Sequence, residues 1–201
     1  MYRIYGDLLS GNCYKVKLLL SYLELAHDWV HIDIMKGESR TGEFLKMNPN
    51  GKIPVLEIDD GEFLWESNAI LQYLADGTEY VPESRLERAR VVQWQSFEQY
   101  SHEPYIAVAR YIAKYLGLPE SRRAEYESKR AGGYRALDVM EQRLASSKYF
   151  VGDRFSIADI SLYAYTHVAA DGGFELDSYP AIRRWLKDTA QRPGHVAMPD
   201  G

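Results

Sequence analysis

Among its 201 residues the chain has a single cysteine, Cys13, so no disulfide can close within it. That scarcity fits a reducing compartment, and a cytoplasmic location is the expectation. Positive charge is not in excess either: 24 Lys and Arg stand against 29 Asp and Glu, a net charge of −5. A protein that binds nucleic acid by neutralising phosphates needs the opposite balance. No apolar run approaches the ~18 residues that a membrane span requires. The opening residues Met1 to Gly6 lack the apolar stretch and small-residue cleavage site of a secretory signal. What is present, 46% hydrophobic and 26% charged residues, is the composition of an ordinary globule. A chain of this length buries roughly 70% of its unfolded surface and needs no metal or disulfide staple.

The texture of the chain changes near residue 80. Before it, Tyr2 and Ile4 alternate with Met1, Arg3 and Tyr5 as in a short strand. A helix follows, with Cys13, Val16, Leu20 and Leu23 on one face and Lys15 and Lys17 predicted to turn away from it. Trp29–Asp33 reads as a strand and Thr41–Met47 as a short helix ended by Asn48-Pro49-Asn50-Gly51. Val55–Ile58 and Glu62–Trp65 flank Asp59-Asp60-Gly61, a hairpin signal, and Ser67 opens a helix carrying Ile70, Leu71 and Leu74. The order βαβαββα implies an α/β layer. Beyond Gly77–Pro82 the pattern is helical throughout. A long helix over 83–116 is predicted to kink at Pro104, with a core stripe of Trp94, Phe97, Ser101, Tyr105, Val108, Ile112 and Tyr115. Further helices are expected over 120–146, from Ser156 with Asp159 closing a variant capping box, and over 180–191. The expected division is an α/β domain over 1–77, a linker over 78–83 and an all-helical domain over 84–201.

Three segments of the first half lie where a strand meets a helix or loop. In Leu9–Lys15, Ser10 precedes a helix, where free backbone N–H groups and a hydroxyl face the same space and favour an anion such as a thiolate. Read alone, Ser10 or Asn12 is a helix cap. In Gly51–Val55, Pro54 at a strand entry leaves the neighbouring backbone available to pair with something else. In Trp65–Ile70, Ser67 at a helix start can receive a carboxylate and Glu66 an ammonium group, which together suit a zwitterionic amino-acid end.

All three in this order, followed by an all-helical half, resemble the glutathione S-transferase family. The specific likeness lies in Asn48–Leu56, in Glu66-Ser67-Asn68-Ala69-Ile70 and in the Ser156–Asp159 cap, and it spans nearly the whole chain. The resemblance implies a thioredoxin-like first domain and a helical second domain. It further implies glutathione as co-substrate, with the peptide bond before Pro54 cis. In this scheme Ile53 pairs its backbone with the cysteinyl part, and Glu66 and Ser67 hold the γ-glutamyl end. Lys52 and Arg40 face the glycyl carboxylate. No metal enters the scheme.

The sulfur-facing group has three candidates by the same resemblance. Ser10 matches the serine of theta-type members, Asn12 the second donor of nu-type members, and Cys13 the cysteine that beta-type members join to glutathione. Ser10 and Asn12 are the expected catalytic pair; Cys13 also fits a buried helix stripe. No tyrosine takes the place that alpha, mu and pi types use, and Tyr5 reads as structural. His102, Tyr105 and Arg110, straddling Pro104, are the expected lining of an acceptor pocket. The implied activity is conjugation of the glutathione thiolate to small electrophiles in detoxification, with reduction of organic peroxides. The alternatives are a glutathione-dependent disulfide-bond reductase and a non-catalytic glutathione-binding interaction module. A homodimer is expected, the small domain of each subunit meeting the helical domain of the other, with Phe44 or Met47 as exposed anchors. Neither nucleic acid nor membrane is an expected partner.

Overall fold

The computed structural model describes residues 1–58 and 61–199. Two compact units are present: Met1–Thr78 joined by the tail from Pro193, and Glu79–Arg192. The expected division ran the helical half to the chain's end; the tail instead lies with the first unit. Tyr14 donates its hydroxyl to the Val196 carbonyl at 2.8 Å, and Ser21 does the same to Gly194 at 2.8 Å.

The first unit runs β1 (Tyr2–Gly6), α1 (Gly11–Tyr22), β2 (His27–His31), α2 (Gly42–Met47), β3 (Val55–Glu57), β4 (Phe63–Trp65) and α3 (Ser67–Ala75). Its mixed sheet has the order β2-β1-β3-β4, with β1 parallel to β2 and antiparallel to β3. This is a thioredoxin-like layer. Strand β2 begins two residues before the predicted one, because the ladder from Tyr2↔His27 recruits polar His27 and Asp28 onto an edge strand. Of the predicted hairpin turn, Asp59 and Asp60 lie outside the described residues; Gly61 has φ +89°, which glycine alone adopts at little cost. Two side-chain placements differ from expectation. Lys15 is fully buried, since the start of α3 covers that flank of α1. Phe44 is only 2% exposed and Met47 is half-buried, so neither is an exposed anchor.

The second unit is helical: α4 (Arg85–Phe97), α5 (Glu103–Arg110), α6 (Arg123–Ala145), α7 (Ile157–Thr166) and α8 (Pro180–Ala190). Between α4 and α5 the chain makes a wide π-helical turn over Glu98–His102, immediately before Pro104, and a second over Tyr111–Tyr115. Such turns absorb an extra residue and occur where the regular ladder is broken, as a proline breaks it. The buried face nevertheless runs on through this turn at three- and four-residue steps, one position past most of the predicted stripe. Val91, Gln95, Glu98, His102, Ile106 and Ala109 are buried; of the predicted stripe Trp94 and Ile112 are buried, whereas Phe97, Ser101, Tyr105, Val108 and Tyr115 are half-exposed. Gln95 donates to Ser161 at 3.4 Å, and the His102 imidazole meets the Thr166 hydroxyl at 2.9 Å, so polar side chains occupy core positions beside α7. Gly132 lets α6 approach α5: a Cβ there would fall 2.1 Å from the Tyr105 ring. Among the described residues no helix is long and apolar enough to cross a membrane.

Asp159 organises this unit. Its carboxylate, fully buried, accepts from the backbone N–H of Ser156 and Phe150 and from the Trp185 indole at 3.0 Å. With the Ser156 hydroxyl accepting from Ala158, it completes the expected capping box. Phe150, so anchored, packs between Trp94, tilted at 54°, and Trp185, edge-to-face at 83°, with centroid distances of 4.7 and 5.1 Å. Burial pushes the Asp159 carboxyl up to about 6 against the stabilising pull of its donors. Its folded value thus lies above the ordinary value of about 3.9, and the folded state takes up the proton first. The resulting stabilisation is complete below pH ~4 and is lost as the pH rises through about 6. Urea unfolding of Asp159→Ala is expected to show a loss of roughly 2–4 kcal/mol, from the broken cap and the stranded donors. Asp159→Asn, which does not titrate, is expected to flatten the profile of unfolding midpoint against pH between about 4 and 6.

Candidate functional site

Strand register decides where the three segments meet. Tyr5 pairs with Val55, and Val55 pairs with Trp65, so these residues form one row across β1, β3 and β4. Tyr5 and Trp65 stand near the outgoing ends of β1 and β4, while Val55 begins β3. The loop to α1, the Ile53–Pro54 entry and the Glu66–Ser67 entry to α3 therefore emerge at the same end of the sheet. The Ile53–Pro54 peptide is cis. Pro54 is buried, Ile53 half-buried and Lys52 exposed. Asn48 holds this turn, donating to the Lys52 carbonyl at 2.7 Å. Arg40, exposed, donates to the Asn50 carbonyl at 3.1 Å and thus stands beside Gly51 and Lys52.

Ser10 occupies the N-cap of α1 with extended backbone angles, yet its side chain makes no capping bond to the helix. Its backbone N–H is held by the Asp7 carbonyl at 3.0 Å. The hydroxyl lies against the Cys13 thiol, whose ionisation it favours only weakly against burial. At α3, Glu66 is exposed with φ +72°, a strained conformation for a non-glycine residue and one that concentrates at functional positions. Ser67 follows it, 5% exposed. Its hydroxyl donates to the Asn12 side-chain oxygen at 3.2 Å, and the Lys15 ammonium donates to that same oxygen at 2.8 Å. The beginnings of α1 and α3 are thereby linked through side chains, at a corner rich in backbone N–H donors and suited to anions.

The expected acceptor residues are not brought to one pocket. His102 is fully buried against Thr166, and Arg110, 2% exposed, pairs with Asp171 at 3.0 Å. Tyr105 lines a separate hollow of about 200 Å³ with Phe97, Tyr100, Gly132 and Val139. Lys15 is the site residue that sequence reasoning missed. The available signal was its sign: a cation near a helix N-terminus opposes the helix dipole and invites an explanation.

Cys13 is fully buried, with its sulfur packed on Gly6, where a Cβ would come within 2.6 Å. Burial pushes its thiol up to about 12, far from the ionisation that disulfide exchange requires. An aromatic disulfide reagent at pH ~8 is expected to label no thiol in the native protein and one per chain after denaturation. Fast native labelling would restore Cys13 as a redox candidate.

Comparison with known proteins agrees with this fold. The N-terminal domain family of glutathione S-transferases matches residues 9–76, and the C-terminal domain family matches residues 95–193. A glutathione S-transferase from Pseudomonas fluorescens superposes with a TM-score of 0.97 at 57% identity, covering 99% of each chain. The glutathione transferase URE2P6 of Phanerochaete chrysosporium, solved with oxidized glutathione, superposes at 0.86 and 31% identity, over 96% of this chain and 92% of that one. The disulfide-bond oxidoreductase YfcG of Escherichia coli is 30% identical over 92% of this chain and 88% of its own length. The chain described here belongs to the glutathione S-transferase family.

Proposed function

We propose that the protein is a glutathione transferase that ionises the thiol of glutathione and directs it at small electrophiles. The observation that carries this reading is Ser10, which heads α1 with a hydroxyl that makes no capping bond to the helix backbone and touches only the weak Cys13 thiol within it. The Phanerochaete relative, solved with oxidized glutathione, supports the choice of ligand. In this reading Glu66 and Ser67 receive the γ-glutamyl ammonium and carboxylate, and the Ile53 backbone pairs with the cysteinyl residue. Lys52 and Arg40, which stand together at the Asn48–Lys52 turn, face the glycyl carboxylate.

The chemistry asked of the protein is modest. A free thiol ionises near pH 8.5, so only a few per cent is thiolate at neutrality. Hydroxyl and amide donors that lower this by two units supply about 2.7 kcal/mol of preference for the thiolate. The sulfur of glutathione, not a protein group, then attacks the electrophilic carbon, and the leaving group departs with the electron pair. Ser10 donates to the sulfur and Asn12 assists; both act by holding charge where it resides in the reactive state.

A second reading, glutathione-dependent disulfide reduction, is favoured by the place of Asn12 in the site and by the likeness to the E. coli oxidoreductase. There the thiolate attacks a disulfide sulfur, forming a mixed disulfide and releasing the other sulfur as thiolate. We further propose that the protein acts as a homodimer. Tyr100 is 82% exposed and Val139 43% exposed at the rim of one hollow in the helical unit, a projecting ring beside a recess that a second copy can match.

Purified protein is expected to bind immobilised glutathione and to conjugate a chloronitrobenzene acceptor. Ser10→Ala is expected to lower turnover ~10–100-fold with glutathione binding nearly intact. Activity confined to mixed-disulfide substrates, and lost with Asn12→Ala, would decide for the reductase. Sedimentation of Tyr100→Glu is expected to show monomer where the parent sediments as dimer; an unchanged dimer would remove this face from the interface.

A further inference from the structure

Lys15 is fully buried on α1, and burying an ammonium costs several kcal/mol before its partners compensate. A methionine or leucine would fill the same volume without that cost. The neighbours of Lys15 suggest what the charge accomplishes. Its Nζ lies 2.8 Å from the Asn12 side-chain oxygen and 3.4 Å from the Ser67 hydroxyl, and Ser67 donates to the same Asn12 oxygen at 3.2 Å. An ammonium has three donors and no acceptor. The Asn12 atom facing it must therefore be the carbonyl oxygen, which removes the usual ambiguity in orienting an amide. Two donors on that oxygen turn the Nδ2 group to the far side of the carboxamide, as a donor.

The geometry points to Lys15 as a positioning residue: it fixes the Asn12 carboxamide so that Nδ2, and not the oxygen, is presented to the thiolate. The inference rests on the proposed glutathione site and deepens it. An asparagine free to rotate would present its oxygen to the anion for part of the time, and repulsion would cancel the benefit of its amide. The buried charge prevents that reversal, because the rotated amide would set N–H against N–H.

The experiment is the ultraviolet pH titration of glutathione bound to the parent protein, to Lys15→Met, to Asn12→Ala and to the double variant. Lys15→Met is expected to raise the apparent pKa of the bound thiol by about one unit, a tenfold loss of thiolate at lower pH. In the Asn12→Ala background the same change is expected to add less than twofold, because the residue acts through Asn12. A crystal of the parent protein soaked with glutathione supplies a readout that does not depend on the variants folding. It is expected to hold Asn12 Nδ2 about 3 Å from the sulfur, with Lys15 still on the oxygen. An unmoved pKa in Lys15→Met, additive effects in the double variant, or a carboxamide facing the sulfur through its oxygen would each overturn the assignment. Parent protein that ionises glutathione normally while Lys15→Met does so equally well sinks only the role of Lys15. Parent protein that binds no glutathione sinks the site itself, and this inference with it.

Discussion

Tyr5, Val55 and Trp65 lie side by side across three strands, and the placement of the site depends on that pairing. One row along, Ile4 pairs with Leu56 and Leu56 with Leu64; Ile4 and Leu56 are wholly buried. A slip of one residue would carry both to the opposite face of the sheet, where Arg3, Tyr5 and Glu57 stand exposed or part-exposed. The hydrophobic pattern of the strands thus locks the register, and the register brings three separate connections to one end of the layer. The site is assembled by the same constraint that builds the core.

The helical unit relies on a different economy. Its aromatic cluster is organised around one carboxylate, Asp159, which joins the start of α7 to Phe150 and Trp185. A buried acid is an awkward core residue, yet here each of its oxygens meets donors that would otherwise be stranded. The polar side chains Gln95 and His102 beside α7 follow the same rule, being buried with hydroxyl partners on that helix.

Much of this was legible from the residues. The capping box could be named from Ser156 and Asp159 because capping is local chemistry, read within four residues. The helix at Ser67 and the strand after Pro54 were readable for the same reason. The core face of the long helix was not. Periodicity fixes the spacing of a buried face better than its phase: the buried residues keep three- and four-residue steps through Glu98–His102, one position past most of the expected stripe, with Trp94 and Ile112 buried as expected. The same reasoning set Lys15 outside because a cation on a helix is nearly always solvated. Its burial follows from the later start of α3, a contact separated by fifty-two residues that no local pattern encodes. Of the acceptor trio, the proline between His102 and Arg110 drew attention to them, but burial was decided by α7 and Asp171.

The tail from Pro193 leaves the helical unit and returns to α1, where Tyr14 and Ser21 hold its backbone carbonyls. The polypeptide therefore passes between the two units twice, and the first unit is discontinuous along the chain. Exchange of the α/β layer between relatives, whether by recombination or by design, needs two junctions in place of one. A graft cut only near residue 78 would leave the transplanted α1 wearing a foreign terminus, with the Tyr14 and Ser21 hydroxyls facing carbonyls that evolved beside another helix.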